Sequence, residues 1–150
     1  MPKPWPARSL AVGLVVLALS ASACDATGSA ASGSPEPTPP TDLSGTNWVL
    51  VSVGGANVAE SPPAGLAFET GARVSGSTGC NSFGGTFSID GSSLAFGPLA
   101  TTKRGCERPL MDQERAVLDG LAGAAGWAVD DAGRLHLTGA TELVFAPVAR

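Results

Sequence analysis

The chain has 150 residues, a formal net charge of −4 and only 9 lysines and arginines. So small and acidic a chain lacks the basic surface that nucleic-acid binding requires, and we expect no nucleic-acid partner. After residue 24, no apolar run reaches the roughly 20 residues that a membrane-spanning helix needs.

The N-terminus has the features of a secretory signal peptide, predicted over residues 1–23. Two basic residues among the first eight precede a short apolar run at 10–19, and small residues follow that run. The next residue, Cys24, resembles the acylated cysteine of bacterial lipoproteins. We therefore expect lipidation at Cys24 and a lipid-anchored location on the bacterial cell membrane, facing outside the cytoplasm. The alternative is a plain signal peptide cleaved near Ala23.

Residues 24–42 have the composition of a tether. They are rich in Ser, Gly and Pro and hold few apolar side chains, so they cannot bury enough surface to offset the entropy of ordering. A disordered chain of about 20 such residues has a typical end-to-end distance of roughly 25 Å. The same composition would also suit a disordered tail with no anchor.

The remaining residues, 43–150, are predicted to form one folded domain. Alternating apolar residues and turn pairs predict strands at 46–53, 65–70, 72–77, 85–90, 92–97, 126–130, 134–139 and 141–147. Apolar residues at helical spacing predict a helix over 106–124, with Glu114 close to the apolar stripe. The fold class is α+β: a curved, barrel-like, mostly antiparallel β-sheet with one packed α-helix.

The cysteine count favours a disulfide. If Cys24 is acylated, Cys80 and Cys106 remain, and an even number of cysteines in an exported chain indicates a bridge. The bond would close a loop of about 27 residues and contribute roughly 3–4 kcal/mol. The alternatives are a free structural thiol and a reactive thiol at Cys80.

Four short motifs follow one another along the chain. They are Trp48-x-Leu50, Gly79-Cys80-Asn81-x-x-x-Gly85, Thr102-x-x-x-Cys106 and Met111-x-x-Glu114. In this order they resemble the META domain family, which includes the heat-inducible bacterial lipoprotein HslJ. The resemblance covers roughly residues 43–148. It implies an α+β fold and a cell-envelope location, with a suggested link to envelope stress and antibiotic tolerance, but no reaction and no catalytic residues.

One departure from the family pattern is a basic loop. Lys103 and Arg104 stand where apolar residues are common before the second cysteine. With Arg73 and Arg108 they are candidates for a small basic patch, although such charges also occur on an ordinary solvated face.

The residue types needed for catalysis or metal binding are scarce. His136 is the chain's one histidine and lies between Leu135 and Leu137, so we expect it to face away from the core. A cysteine nucleophile needs a nearby base, and a zinc site needs about four ligands at recognisable spacing. We therefore predict no catalytic residues, no metal site, no cofactor and no enzymatic activity.

Glu114 is open to three interpretations. A carboxylate near a buried helix face needs a partner, which Lys103, Arg104 or backbone N–H groups near Asn81 would supply. It is otherwise a binding-site acid, or simply exposed.

Three functions fit the sequence. The first is a non-catalytic, lipid-tethered envelope domain that binds a protein or a small envelope ligand. The second is a thiol-dependent enzyme that uses Cys80. The third is a protease-inhibitor-like module, in which the loop at 101–109 offers Lys103 or Arg104 to a trypsin-like site.

Overall fold

The computed structural model describes residues 42–148. The predicted signal peptide at 1–23, the predicted lipidation site Cys24 and all of the predicted tether except Asp42 lie outside the described residues. Within residues 42–148, no helix has both the length and the apolar character that crossing a membrane demands.

The described residues form ten β-strands and one α-helix. In chain order these are β1 Thr46–Val53, β2 Ala56–Asn57, β3 Gly65–Glu69, β4 Arg73–Ser77, β5 Ser82–Asp90, β6 Ser93–Phe96, β7 Ala100–Thr101, α1 Arg108–Ala122, β8 Ala124–Val129, β9 Leu135–Gly139 and β10 Leu143–Pro147.

Eight of these strands close into an antiparallel barrel. Their order around the ring is β1, β3, β4, β5, β6, β8, β9 and β10, and β10 pairs with β1 to complete it. The two-residue strands β2 and β7 lie outside the ring, paired with β1 and β5. The predicted class, a curved and barrel-like antiparallel sheet with one helix, is confirmed.

The strands alternate between the barrel interior and its outer surface. On β1, Trp48 and Leu50 are buried, whereas Val49 and Val51 are each 39 % exposed. Side chains on successive strand residues point to opposite faces, so this alternation fixes which face of β1 lines the core. The interior is filled mainly by aliphatic and aromatic side chains, among them Leu66, Phe68, Phe83, Phe87, Leu94, Leu137 and Phe145.

The helix α1 lies across one end of the barrel. It contacts β1, β6 and β10, and β6 stands opposite the other two in the ring. Val117 and Leu121 are buried against the core. Gly120 allows the close approach, because a Cβ at that position would lie 2.9 Å from a methyl carbon of Leu143.

The helix is shorter at both ends than the predicted 106–124. It begins at Arg108, just before Pro109, a residue whose missing N–H is tolerated only in the first turn. It ends at Ala122, because Ala124 already pairs with Gly139 in the sheet. The strands β2 and β7 were not predicted, because two residues are too few to show an alternating pattern. The first three residues of β5 were also missed, since Gly84 weakens the strand pattern there.

Candidate functional site

The motif turn between β4 and β5 is buried beneath the N-terminal half of α1. Thr78 donates its backbone N–H to the carbonyl oxygen of Asn81 over 2.8 Å, which closes the turn. Gly79 has φ +95°, a conformation that side-chain-bearing residues rarely adopt. Thr78, Cys80 and Asn81 are 0 %, 6 % and 3 % exposed, so the turn is part of the interior.

Cys80 and Cys106 form a disulfide, as predicted. Their Cα atoms are 6.0 Å apart, and the bond ties the β4–β5 turn to the segment just before α1. A thiol-dependent activity at Cys80 would require this bond to be reduced first, because a disulfide sulfur carries no ionisable proton.

The Asn81 side chain uses all of its hydrogen-bonding capacity. Its Oδ1 accepts from the hydroxyl of Thr102 over 2.8 Å and from the backbone N–H of Arg104 over 2.7 Å. Its Nδ2 donates to the carbonyl oxygen of Arg104 over 3.1 Å and to Oε2 of Glu114 over 2.9 Å. An amide has two donors and two acceptor lone pairs, so none is left for a ligand.

The partners of Glu114 are neutral rather than cationic. Its Oε2 accepts from the Thr78 hydroxyl over 2.8 Å and from the Asn81 amide. Among the described residues, Glu114 makes no salt bridge, so the predicted ion pair with Lys103 or Arg104 is not how this carboxylate is held. The Glu114 carboxylate is therefore bonded by two side chains of the motif turn and not by the backbone N–H groups that the sequence also suggested.

Gln113 holds the other side of the turn and was not anticipated from the sequence. Its Nε2 donates to the carbonyl oxygen of Thr78 over 2.8 Å, and its Oε1 accepts from the backbone N–H of Ala59 over 2.8 Å. One side chain of α1 therefore connects the turn to the β2–β3 connection. The available signal for its role was its position directly before the motif residue Glu114 on the predicted helix.

Six of the ten residues named in the four motifs come together in this polar cluster. Gly79, Cys80, Asn81, Thr102, Cys106 and Glu114 form the polar cluster and its disulfide, with Thr78 as an unpredicted member. Trp48 belongs instead to the core. Gly85 lies in the barrel wall, where a Cβ would be 2.8 Å from the carbonyl oxygen of Pro98.

The cluster supports an exposed segment at residues 102–107. The chain passes from β7 to α1 here without a turn or sharp bend, and Lys103, Arg104 and Gly105 are all exposed. Thr102 donates its backbone N–H to the carbonyl oxygen of Ser82 over 3.0 Å. The segment is thus anchored to the start of β5 on one side and to Cys80 on the other.

The candidate basic patch does not include all four predicted residues. Arg73 lies at the far end of β4 from the motif turn and pairs with Glu69 over 3.8 Å. Lys103, Arg104 and Arg108 remain together in and just after the exposed segment.

His136 lies in a second polar cluster, on the outer wall of the barrel. Its Nδ1 faces Oε1 of Glu142 and its Nε2 faces Oδ2 of Asp130, both over 3.0 Å. These contacts, with Glu142 first, raise the pKa of His136 above its ordinary value of 6.5. Hydrogen bonds from the backbone of Arg134, and then from His136, hold the pKa of Asp130 far below its usual range. His136 faces outward, as expected, but only 26 % of its side chain is exposed.

Several clefts open on the described surface, and Gln113 lines one of them. Four have volumes between about 320 and 560 Å³, and none of these four is lined by Cys80, Asn81 or Glu114. Within residues 42–148, no group of three or more His, Cys, Asp or Glu side chains is placed to hold a metal ion.

Comparison with known protein families identifies the domain. The family model of the META domain matches residues 41–149. The chain belongs to the META family. No curated protein matches this META domain.

Solved structures share the fold of this META domain. An NMR structure of a protein from Burkholderia xenovorans is 27 % identical, with a TM-score of 0.59, over 72 % of this chain and 85 % of that one. A second NMR structure is also 27 % identical, with a TM-score of 0.59, over 69 % and 89 % of the two chains. A crystal structure of a DUF4847 family protein from Bacteroides vulgatus is 15 % identical with a TM-score of 0.50, covers 69 % of this chain and 93 % of that one, and shares the fold alone.

Proposed function

We propose that this META domain is a non-catalytic, lipid-tethered module of the bacterial cell envelope that binds a protein partner through residues 102–107. The signal-like N-terminus and the position of Cys24 support the tether and the location outside the cytoplasm. The Ser, Gly and Pro content of residues 24–42 supports a spacer that lets the domain reach a partner near the membrane.

The observation that carries the proposal is the way the exposed segment is held. Lys103 and Arg104 present two cations to solvent, while Asn81 and the disulfide fix the backbone that carries them. A loop ordered in advance loses less conformational entropy on binding, so its contacts contribute more to affinity. Two cations on a chain of net charge −4 favour an acidic partner surface.

A protein partner fits better than a ligand inside the barrel. The barrel interior is occupied by large apolar side chains, as is usual when eight strands close. The buried polar atoms of Asn81 are satisfied within the chain, so they offer no groups to a small ligand. Recognition therefore falls to the exposed segment.

Site-specific photo-cross-linking in the native envelope tests the proposal. A cross-linking residue at position 105 fits without a clash, because a Cβ on Gly105 meets nothing within 4 Å. The matched control places it at Thr70, which is exposed at the β3–β4 turn. We expect a discrete adduct from position 105 only, lost in K103A/R104A and kept in R73A. Equal adducts from both positions, or none from position 105, would rule the proposal out.

The tether has its own test. Intact-mass analysis of the chain purified from its envelope should show a diacylglycerol mass on Cys24, and Cys24→Ser should release the chain from the membrane fraction. A soluble wild-type chain with an unmodified cysteine would contradict it.

If the domain serves envelope-stress tolerance, a deletion strain should lose survival under envelope stress and regain it with the wild-type gene but not with K103A/R104A.

A further inference from the structure

Within the exposed segment, Lys103 lies between two residues whose backbones are bonded to β5 and to the motif turn. Thr102 is bonded to Ser82 through its backbone, and Arg104 is bonded to Asn81 through both its N–H and its carbonyl. Lys103 makes no hydrogen bond or salt bridge to any residue between 42 and 148. Its backbone and ammonium groups are therefore available to a partner.

We propose that the partner is a serine protease with an acidic S1 pocket and that the domain inhibits it by presenting the Lys103–Arg104 peptide bond. This inference rests on the proposed function, because it uses the same segment. A protease that cleaves after Lys or Arg carries a carboxylate at the base of its S1 pocket, which matches the exposed ammonium of Lys103. Residues 102–107 run without a turn or sharp bend, as a bound substrate strand must.

The hydrogen bonds from the Asn81 side chain to the backbone of Arg104 explain why the domain would act as an inhibitor rather than a substrate. Attack of the protease serine oxygen on the Lys103 carbonyl carbon forms an ester and breaks the bond to the Arg104 nitrogen, which takes up one proton and leaves as an amine. That amine stays beside the ester, because Asn81 binds the N–H and carbonyl of Arg104 and the disulfide holds Cys106.

A leaving group that stays in place reacts again before water does. Its effective concentration next to the ester is high, so the amine attacks the ester carbonyl, reforms the peptide bond and releases the serine with its proton. Hydrolysis through water would give a carboxylate on Lys103 and an amine on Arg104, still linked through β5 and the disulfide. Cleaved and intact forms therefore interconvert on the protease instead of dispersing.

Lys103 and Arg104 are expected to play different roles. The side chain of Lys103 enters the S1 pocket, whereas Arg104 acts through its backbone and its side chain is dispensable. Such loops bind with little change of shape, as protease–inhibitor complexes commonly do.

Inhibition assays with the full chain in a non-ionic detergent test the inference, with trypsin and chymotrypsin acting on small chromogenic substrates. We expect inhibition of trypsin, weakened about 100-fold or more in K103A, since a central anchor dominates such interfaces. R104A should remain within about 5-fold of wild type. K103F should move inhibition from trypsin to chymotrypsin, whose S1 pocket is a hydrophobic slot.

Intact mass spectrometry after long incubation with trypsin should show a stable mixture of intact chain and chain with one added water between residues 103 and 104. Complete cleavage at that bond at the rate of an ordinary substrate would overturn the inference, and so would equal effects of K103A and R104A. If cross-linking from position 105 succeeds but trypsin is not inhibited, this inference fails while the proposed function stands. If that cross-linking fails as well, the proposed function itself fails.

Discussion

Nδ2 of Asn81 lies 2.9 Å from Oε2 of Glu114, so the motif turn between β4 and β5 is joined to α1 by an amide–carboxylate hydrogen bond. The same amide holds the backbone of Arg104. The motif turn, the exposed segment and α1 therefore meet at one side chain, and the position of the exposed segment depends on it.

Removing the Glu114 carboxylate should destabilise the domain. Glu114→Ala leaves the Asn81 amide and the Thr78 hydroxyl short of an acceptor, and we expect the free energy of unfolding to fall by about 2 kcal/mol. Glu114→Gln keeps an acceptor oxygen and should cost less. Urea denaturation measures both. Asp112→Ala, exposed on the same helix, is the control, and an equal loss there would contradict the prediction.

The disulfide should contribute a large share of stability. Closing a loop of 26 positions is worth about 3.5 kcal/mol in the chain-entropy description. The double variant C80S/C106S should lose about that amount in guanidinium denaturation, and reductant should lower wild type to the same level. Reductant should leave the double variant unchanged. If reductant leaves the free energy of unfolding of wild type unchanged, the disulfide does not stabilise the fold.

The charge state of His136 should make stability depend on pH. Glu142 and Asp130 raise its folded pKa above the unfolded value of 6.5, so the stabilisation is complete below that value and is lost as pH rises through the folded pKa. Denaturation between about pH 5 and pH 9 should show this decline, and His136→Gln should flatten it. With one histidine in the chain, its imidazole NMR resonance reports the pKa directly, and Glu142→Gln should lower that pKa. A His136 pKa that stays at its ordinary value of 6.5 would contradict the contacts with Glu142 and Asp130.

Gly76 and Gly84 offer a matched pair of strand glycines. A Cβ on Gly76 would lie 2.4 Å from both the Phe83 ring and the carbonyl oxygen of Gly65, whereas one on Gly84 would meet nothing closer than 3.7 Å. Gly76→Ala should therefore cost about 2 kcal/mol through overpacking, and Gly84→Ala should cost little. Thermal or urea denaturation compares them. Similar losses at both positions would contradict the prediction.

Most of the barrel could be predicted from the sequence, because buried and exposed residues alternate along its strands. Trp48 and Leu50, or Leu135 and Leu137, identify inward faces without any knowledge of their partners. The pairing of β1 with β10, which closes the ring, joins residues nearly the whole domain apart and leaves no local pattern.

The sequence motifs predicted which residues form the candidate site, but not which hydrogen bonds they make. Asn81, Glu114 and both cysteines were identified through motifs, yet Glu114 was expected to meet a cation or backbone N–H groups. Which donors reach a carboxylate depends on where α1 crosses the barrel end, and that is set by packing at Gly120, Val117 and Leu121. The roles of Gln113 and Thr78 depend on the same placement.

The closure of the barrel by its first and last strands has a consequence for biosynthesis. Val49 pairs with Ala146, so β1 must wait for the last of the described strands before this edge is covered. Contacts of such long sequence separation are costly in loop entropy and form late. A growing chain keeps the β10-facing edge of β1 open until β10 has emerged, and a chain truncated before Leu143 would leave it open permanently. An unpaired strand edge invites pairing with other chains, so truncated products of this domain should be prone to aggregation and early proteolysis.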